Sequence, residues 1–302
     1  MGDGVPLSLV NLEFNSSCNL RCRWCALDHA KPRRVMTPEI LAKVLDDLRD
    51  PLFAGLRRLD LHNGGETLLH PDLPAMLAVL ATKKNALPSG AVVALLTNAM
   101  LLSPRKSVQI IASRAVTQMR FSLDGGTPAL FESIRQGAKW AIVRRNVAAF
   151  CEANEAAGHP MATEAICLIE PEGLPGGFDP EFAALLARLD KISPRHPHNW
   201  DGSKELGVDD TSYREIAGDR HGEVCFLLER NLVVLPDGRV TVCCNDLNGR
   251  GVIGSVLESS LAELAAGPKR QAMLAAFRDT GCRGVPLCRS CSGFYTAPRT
   301  PS

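Results

Sequence analysis

Three cysteines stand within eight residues, in Cys18-Asn-Leu-Arg-Cys22-Arg-Trp-Cys25. Their spacing is C-x-x-x-C-x-x-C. Thiolates at this spacing form a soft ligand set, the kind that selects iron–sulfur clusters, zinc or copper(I). Three ligands are one short of the usual four for a cluster. A four-iron cluster held this way keeps one iron open to another ligand. The stretch follows residues 7–14, where Val10, Leu12 and Phe14 fall on one face. That alternation predicts a strand, with the thiols on the loop at its C-terminal end.

Six more cysteines, at 225, 243, 244, 282, 288 and 291, gather near the other end of the chain. Cys288-Arg-Ser-Cys291 is a C-x-x-C knuckle. Cys225 and Cys243 flank residues 231–243, which read as a hairpin turning at Asp237-Gly238. Cys225, Cys243, Cys288 and Cys291 make a second set of four thiolates, suited to a cluster or to tetrahedral zinc. Cys244 and Cys282 are left over. Cys151 and Cys167 sit in apolar text and read as small buried hydrophobes. Two separate metal sites are expected.

Strand and helix alternate between these clusters. Helices are expected over 38–48, 71–83, 103–113, 140–157 and 180–189. Strands are expected over 56–62, 91–96, 116–123, 164–169 and 191–198. Such alternation implies a parallel sheet with right-handed crossovers. Six units are too few for a closed eight-stranded barrel, so an open partial (β/α)6 barrel is expected. Polar residues collect where strands end: Gly64-Gly65-Glu66, Thr97-Asn98, Ser122 with Asp124, and Glu170. In α/β barrels that face carries the active site. The expected organisation is a barrel over 1–200, a bridge over 201–224, and a hairpin-plus-helix unit over 225–302 with its helix at 261–278. Residues 209–222 are charged and read as a loop.

At 302 residues the chain can bury a sizeable core. Its 34 basic and 33 acidic residues leave a net charge of +1, without the basic footprint of a nucleic-acid binder. No run of 18 apolar residues is present, so no membrane span is expected. The first twenty residues lack Lys and Arg and read as no signal peptide. Eleven cysteines then point to metal chemistry in the cytoplasm rather than to disulfides.

The triplet, with Trp24 before its third cysteine, resembles the signature of the radical S-adenosylmethionine (SAM) enzymes. In that family the open iron binds SAM, and the reduced cluster splits it to a 5′-deoxyadenosyl radical. Gly64-Gly65-Glu66 resembles the family's second-strand motif, which implies that Glu66 meets the SAM amino group. Thr97-Asn98 and Ser122-Leu-Asp124-Gly125 resemble the strand ends that contact SAM, and Arg135 stands where many relatives carry an arginine. The resemblance thus implies SAM contacts from Trp24, Gly64, Gly65, Glu66, Thr97, Asn98, Ser122, Asp124 and Arg135. The text around Cys225, Gly238, Cys243 and Cys288-Arg-Ser-Cys291 resembles the SPASM/twitch extension, which implies an auxiliary cluster. Two [4Fe-4S] clusters and SAM are the expected cofactors, and a flavodoxin or ferredoxin the expected one-electron reductant.

Within the family the chain resembles the 2-deoxy-scyllo-inosamine dehydrogenases of butirosin-type antibiotic biosynthesis. That resemblance implies oxidation of an alcohol to a ketone on a small aminocyclitol or amino sugar. Arg188, Arg195, His196 and His198 are the candidates to hold the alcohol or accept its proton. The alternative is modification of a precursor peptide by thioether formation or epimerisation. The first expected strand starts close to residue 1, without room for an added peptide-recognition domain, which favours a small substrate.

Overall fold

The computed structural model describes residues 7–169, 176–205 and 224–291. Six strands, β1 (Leu9–Leu12), β2 (Arg58–Asp60), β3 (Val92–Thr97), β4 (Gln118–Ser122), β5 (Ala162–Leu168) and β6 (Lys191–Arg195), pair in parallel and in chain order. Helices cross between them: α1 (Pro38–Asp47), α2 (Leu73–Thr82), α3 (Pro104–Ser113), α4 (Pro128–Ile134), α5 (Trp140–Ala156) and α6 (Pro180–Leu186). This is the expected partial barrel. It stays open because β6 is an edge and β1 pairs on its free side with β7 (Asn231–Val234) instead.

One local device starts most of these helices. Thr37-Pro38, Ser103-Pro104, Thr127-Pro128 and Asp179-Pro180 each place a capping side chain before a proline at the first helical position. The cap oxygen accepts a backbone N–H of the first turn, as Thr37 does from Ile40 and Ser103 from Lys106. The proline lacks an N–H that would find no partner there anyway. Each cap contributes about 1 kcal/mol.

The strands put alternate residues on opposite faces. Leu59 and Leu61, Val93 and Leu95, and Met119 and Phe121 are buried under the helices. Inward positions outside β3 are mostly polar, among them Asn11, Arg58, Asp60, Gln118, Arg120, Glu164, Lys191 and Ser193, whereas β3 presents Ala94 and Leu96. The polar groups form a bonded network across the lumen. Arg58 donates to Asp60 at 2.8 Å and Arg120 to Glu164 at 3.1 Å.

Downstream, β7 turns through Asp237-Gly238 into antiparallel β8 (Arg239–Thr241), and Gly238 takes φ +83° as that turn requires. A strand the sequence did not announce, β9 (Val252–Ser255), completes a nine-stranded sheet. The C-terminal hairpin therefore extends the barrel sheet rather than standing apart. The single helix expected over 261–278 is two, Leu261–Ala266 and Pro268–Thr280. Pro268 cannot donate within a helix, so it ends one and starts the next. The loop expected over 209–222, and Glu170, lie outside the described residues. No described helix is long and apolar enough to cross a membrane.

Gly64 and Gly65 serve close packing. A Cβ on Gly65 would lie 1.7 Å from the Asn15 carbonyl oxygen, and one on Gly64 2.9 Å from that of Leu247. The end of β2 is thus pressed between the loop leading to Cys18 and the segment after Cys244. Gly65→Ala should destabilise the fold by about 1–3 kcal/mol, the cost of overpacking. Gly176→Ala, where a Cβ meets nothing within 4 Å, should leave the melting temperature unchanged. Equal melting temperatures for the two variants would contradict this packing.

Candidate functional site: two cysteine loops at the open barrel

The loop after β1 has no regular structure, yet it is tied from several sides. Arg21 N–H donates to Gln136 O at 2.9 Å, and Arg23 N–H to Ile134 O at 2.8 Å. The end of α4 thus runs alongside the cysteine loop. Trp24 is buried, and its ring packs on Ile134, Leu130 and Leu168. It packs under the loop, and its ring nitrogen is buried without a hydrogen-bond partner.

Arg135, just past α4, turns under the thiols. Its Nε and Nη2 donate to Asp124 Oδ2 at 2.7 and 2.6 Å, and Nη1 lies 4.0 Å from Cys22 Sγ. Asp124 is 1% exposed, and its Oδ1 accepts Leu168 N–H at 2.8 Å. Burial works to lower the Arg135 pKa, but Asp124 and Cys22 hold it above its ordinary value. A permanent cation therefore sits beside the cysteine loop. Asn98 adds a second contact, donating from Nδ2 to Asn19 Oδ1 at 2.9 Å and lying 3.9 Å from Cys18 Sγ.

Glu66 is a clamp. Oε1 accepts Thr97 Oγ1–H at 2.7 Å and Leu68 N–H at 3.1 Å, and Oε2 accepts Asn98 N–H at 2.9 Å. These bonds hold the ends of β2 and β3 together and leave one lone pair of Oε2 for a ligand. The Thr97 hydroxyl also accepts Ala99 N–H at 3.0 Å, which leaves it one lone pair. Ser122 is buried on the inward face below Asp124.

All eleven cysteines are free. Cys18, Cys22 and Cys25 are half-buried and close enough that their charges act on one another. Burial pushes the Cys18 thiol up to about 12 and raises Cys22 and Cys25 as well. Thiols in such surroundings ionise only when a cation takes the charge, which is how metal ligands behave. The donor set fits a cluster bound through three thiolates.

The second set is also gathered. Burial raises the Cys288 pKa, with the fields of Cys291, Cys225 and Cys282 adding to it. Cys243 is raised by its contact with Cys244, by burial and by the field of Cys225. The four expected ligands thus form one neighbourhood, and Cys282 borders it. The Cys244 thiol touches that of Cys243 rather than pointing away from it, as adjacent residues of a strand would, and it also lies within electrostatic reach of Asp60 and Arg195. Among the described residues no three His, Cys, Asp or Glu side chains converge as ligands of one ion. A four-iron cluster instead spreads its thiolates over four metals.

Short bonds connect the two loops. Trp200 Nε1–H donates to Trp24 O at 2.6 Å, and Asn199 Nδ2–H to Ser290 O at 2.8 Å. Asn248 bonds both Ala26 O and Asp28 N–H at 2.9 Å. Of the substrate candidates, His198 is half-buried, and its Nδ1 accepts Trp200 N–H at 3.0 Å. Burial lowers its pKa to about 4, with Arg195 adding. His196 is exposed, with Nδ1 3.3 Å from Ile169 O. Arg195 lies on the inward face of β6. Arg188 is misplaced for this role. It precedes β6, at the opposite end of the strand from the thiol loops, and pairs with Glu152 on the surface at 3.2 Å. Sequence reasoning passed over the lumen network and His62, although Arg58, Asp60 and His62 alternate with Leu59 and Leu61 as inward residues of a strand would.

The Arg135–Asp124 pair generates a sharp expectation. Arg135→Leu should cost about 3–5 kcal/mol, because it leaves a buried carboxylate unpaired. Arg135→Lys should recover part of that and yet bind less iron at the first site. A melting temperature of Arg135→Leu equal to that of the wild type would contradict the buried pair.

Comparison with known proteins agrees with this geometry. The model of the radical SAM superfamily matches residues 12–161, and that of the SPASM iron–sulfur cluster-binding domain matches residues 225–292. The GTP 3′,8-cyclase of Acidothermus cellulolyticus is 30% identical over 165 residues, covering 51% of this chain and 41% of the cyclase. That of a Picosynechococcus species is 29% identical over 143 residues, 45% of this chain and 41% of the cyclase. The chain thus matches about two fifths of the length of these curated relatives. Among solved structures, BtrN in complex with AdoMet and 2-DOIA shares the fold at TM-score 0.63 and 17% identity, over 96% of this chain and 94% of BtrN. Streptococcus suis SuiB, bound to precursor peptide SuiA, does so at TM-score 0.67 and 14% identity, over 96% of this chain and 72% of SuiB. With one thiolate triplet for the SAM-binding cluster and a second thiolate set for an auxiliary one, the chain belongs to the radical SAM superfamily and carries a C-terminal SPASM domain.

Proposed function

We propose that this enzyme oxidises an alcohol carbon of a small polyhydroxylated substrate, an aminocyclitol or amino sugar, to a ketone. The observation that carries the reading is the pair of thiolate sets, joined by Trp200–Trp24 and Asn199–Ser290 and set beside a polar lumen. When bound, the SAM-ligated cluster supplies the 5′-deoxyadenosyl radical, and the auxiliary cluster supplies an acceptor for the electron left on carbon.

The protein's own groups supply position. Cys18, Cys22 and Cys25 hold the first cluster, with Arg135 and Asn98 beside their sulfurs. Gly64, Gly65, Glu66, Ser122 and Asp124 shape the SAM side, with the free lone pair of Glu66 available to the ammonium group. Cys225, Cys243, Cys288 and Cys291 fill the second cluster, so no iron remains for substrate and electron transfer is its natural role. Arg195 faces the lumen and can donate to substrate oxygens. His198 holds Trp200, which closes the bridge between the loops. His196 stands at the exposed rim near the same strand end. The reductant is an external one-electron donor such as a flavodoxin or ferredoxin, and the setting is cytoplasmic.

A second reading is peptide modification, favoured by the likeness in fold to SuiB, solved with its precursor peptide. The two readings separate on one variant. Cys288→Ala, checked for folding by circular dichroism, should still form 5′-deoxyadenosine while losing the ketone made from a panel of aminocyclitols and amino sugars. Full ketone yield from this variant would remove the electron-acceptor role. A wild type that alters a precursor peptide and oxidises no member of the panel would favour the second reading.

A further inference from the structure

The barrel interior is layered, and the layers differ in how their polar groups are satisfied. In the lower layer Asp60 accepts from Arg58 at 2.8 Å and lies 3.7 Å from Arg120. Arg120 reaches Glu164 at 3.1 Å, and Glu164 also binds the Ser193 hydroxyl and lies 3.6 Å from Lys191. The charges of β2, β4, β5 and β6 are therefore mutually paired at this level.

Two residues further along β2, β4 and β5 the same faces present His62, Ser122 and Ile166, nearer the thiol loops, and Arg195 stands further still on β6, opposite Leu168. Here the pairing stops. The Nδ1 atom of His62 is buried and has no hydrogen-bond partner. Arg195 is exposed and stands within electrostatic reach of His62. It makes no ion pair with any carboxylate among the described residues. A buried ring nitrogen without a partner costs free energy unless something else bonds it. An unmatched ring nitrogen and a guanidinium without an ion pair among the described residues, both on the inward face above a closed network, together form a site for a hydroxylated ligand.

We propose that His62 and Arg195 form the substrate subsite, Arg195 donating to a substrate oxygen and His62 accepting the proton of the hydroxyl whose carbon is oxidised. This rests on the oxidation reading above. The carbinol gives one hydrogen atom from carbon to the adenosyl radical, one proton from oxygen to His62, and one electron to the auxiliary cluster. Those three losses convert C–O–H to C=O.

The setting of His62 suits the task. Burial lowers its pKa to about 4; Asp60 opposes, while Arg120, Arg58 and Arg195 add to the lowering. These four are the charged groups that face it from β2, β4 and β6. At neutral pH the ring is therefore an uncharged acceptor. It is too weak a base to ionise an alcohol, but loss of the electron from the carbon radical would leave a protonated ketone, an acid strong enough for this ring to take its proton. Proton removal is thereby tied to the loss of the electron that follows hydrogen abstraction.

The test uses the reconstituted enzyme with SAM and, as probes, 2-deoxy-scyllo-inosamine and a panel of inositols. In the first arm, diethylpyrocarbonate modification of His62 is read by peptide mass spectrometry; a bound probe should shield the ring. In the second, His62→Gln should form 5′-deoxyadenosine as before while the ketone per SAM cleaved falls by about 10²-fold, the scale of a lost general base. Equal modification of His62 with and without every probe would overturn the subsite. Shielding together with an unchanged ketone yield from His62→Gln would overturn the proton step. Shielding in a wild type that oxidises no probe would sink the oxidation reading and the proton step with it, while upholding the subsite.

Discussion

Everything at this site depends on holding an irregular loop still. Residues 18–25 carry three thiols but contribute no strand or helix of their own to fix them. The constraint comes from the end of α4, where Ile134 and Gln136 accept two backbone N–H groups of the loop and Arg135 reaches beneath it. Asp124 holds Arg135, and its other oxygen holds the Leu168 N–H at the end of β5. A single buried carboxylate thereby links β4, β5, α4 and the cysteine loop. Glu66 does the same between β2 and β3. In a medium of low dielectric such groups are costly unless every oxygen is bonded. Here they are bonded, so they specify one arrangement of the strand ends.

The open edge of the barrel is the second organising feature. A parallel sheet that stops at six strands leaves β1 with a free side. The C-terminal segment covers it with β7, and the chain after β8 returns across to the strand ends. Leu247 O meets Lys31 there, and Asn248 meets Ala26 and Asp28. The segment that carries Cys243 is thus fastened to the loop that carries Cys18, Cys22 and Cys25. That fastening joins the two thiolate sets into one functional unit.

Much of this was legible in the residues. Cap-plus-proline pairs such as Thr37-Pro38 and Ser103-Pro104 are local signals, and local signals survive folding. The thiolate spacings are equally local, as is the Asp237-Gly238 turn. What could not be read depends on contacts between distant segments. The packing of Trp24 on Ile134 and the bond from Thr97 to Glu66 join segments far apart in the chain. Arg188 lies only seven residues from Arg195, yet the length of β6 puts the two at opposite ends of the barrel. His62 carries no motif of its own, and the alternation that aims it into the lumen spans only a three-residue strand, Arg58–Asp60, and its extension.

The central claim is that one chain holds two four-iron clusters, one through three thiolates and one through four. Metal analysis with Mössbauer spectroscopy on anaerobically reconstituted protein tests it most directly. The account predicts about eight irons per chain, without stoichiometric zinc, in two cubane environments of which only one changes when SAM is added. About four irons accompanied by one zinc would contradict it.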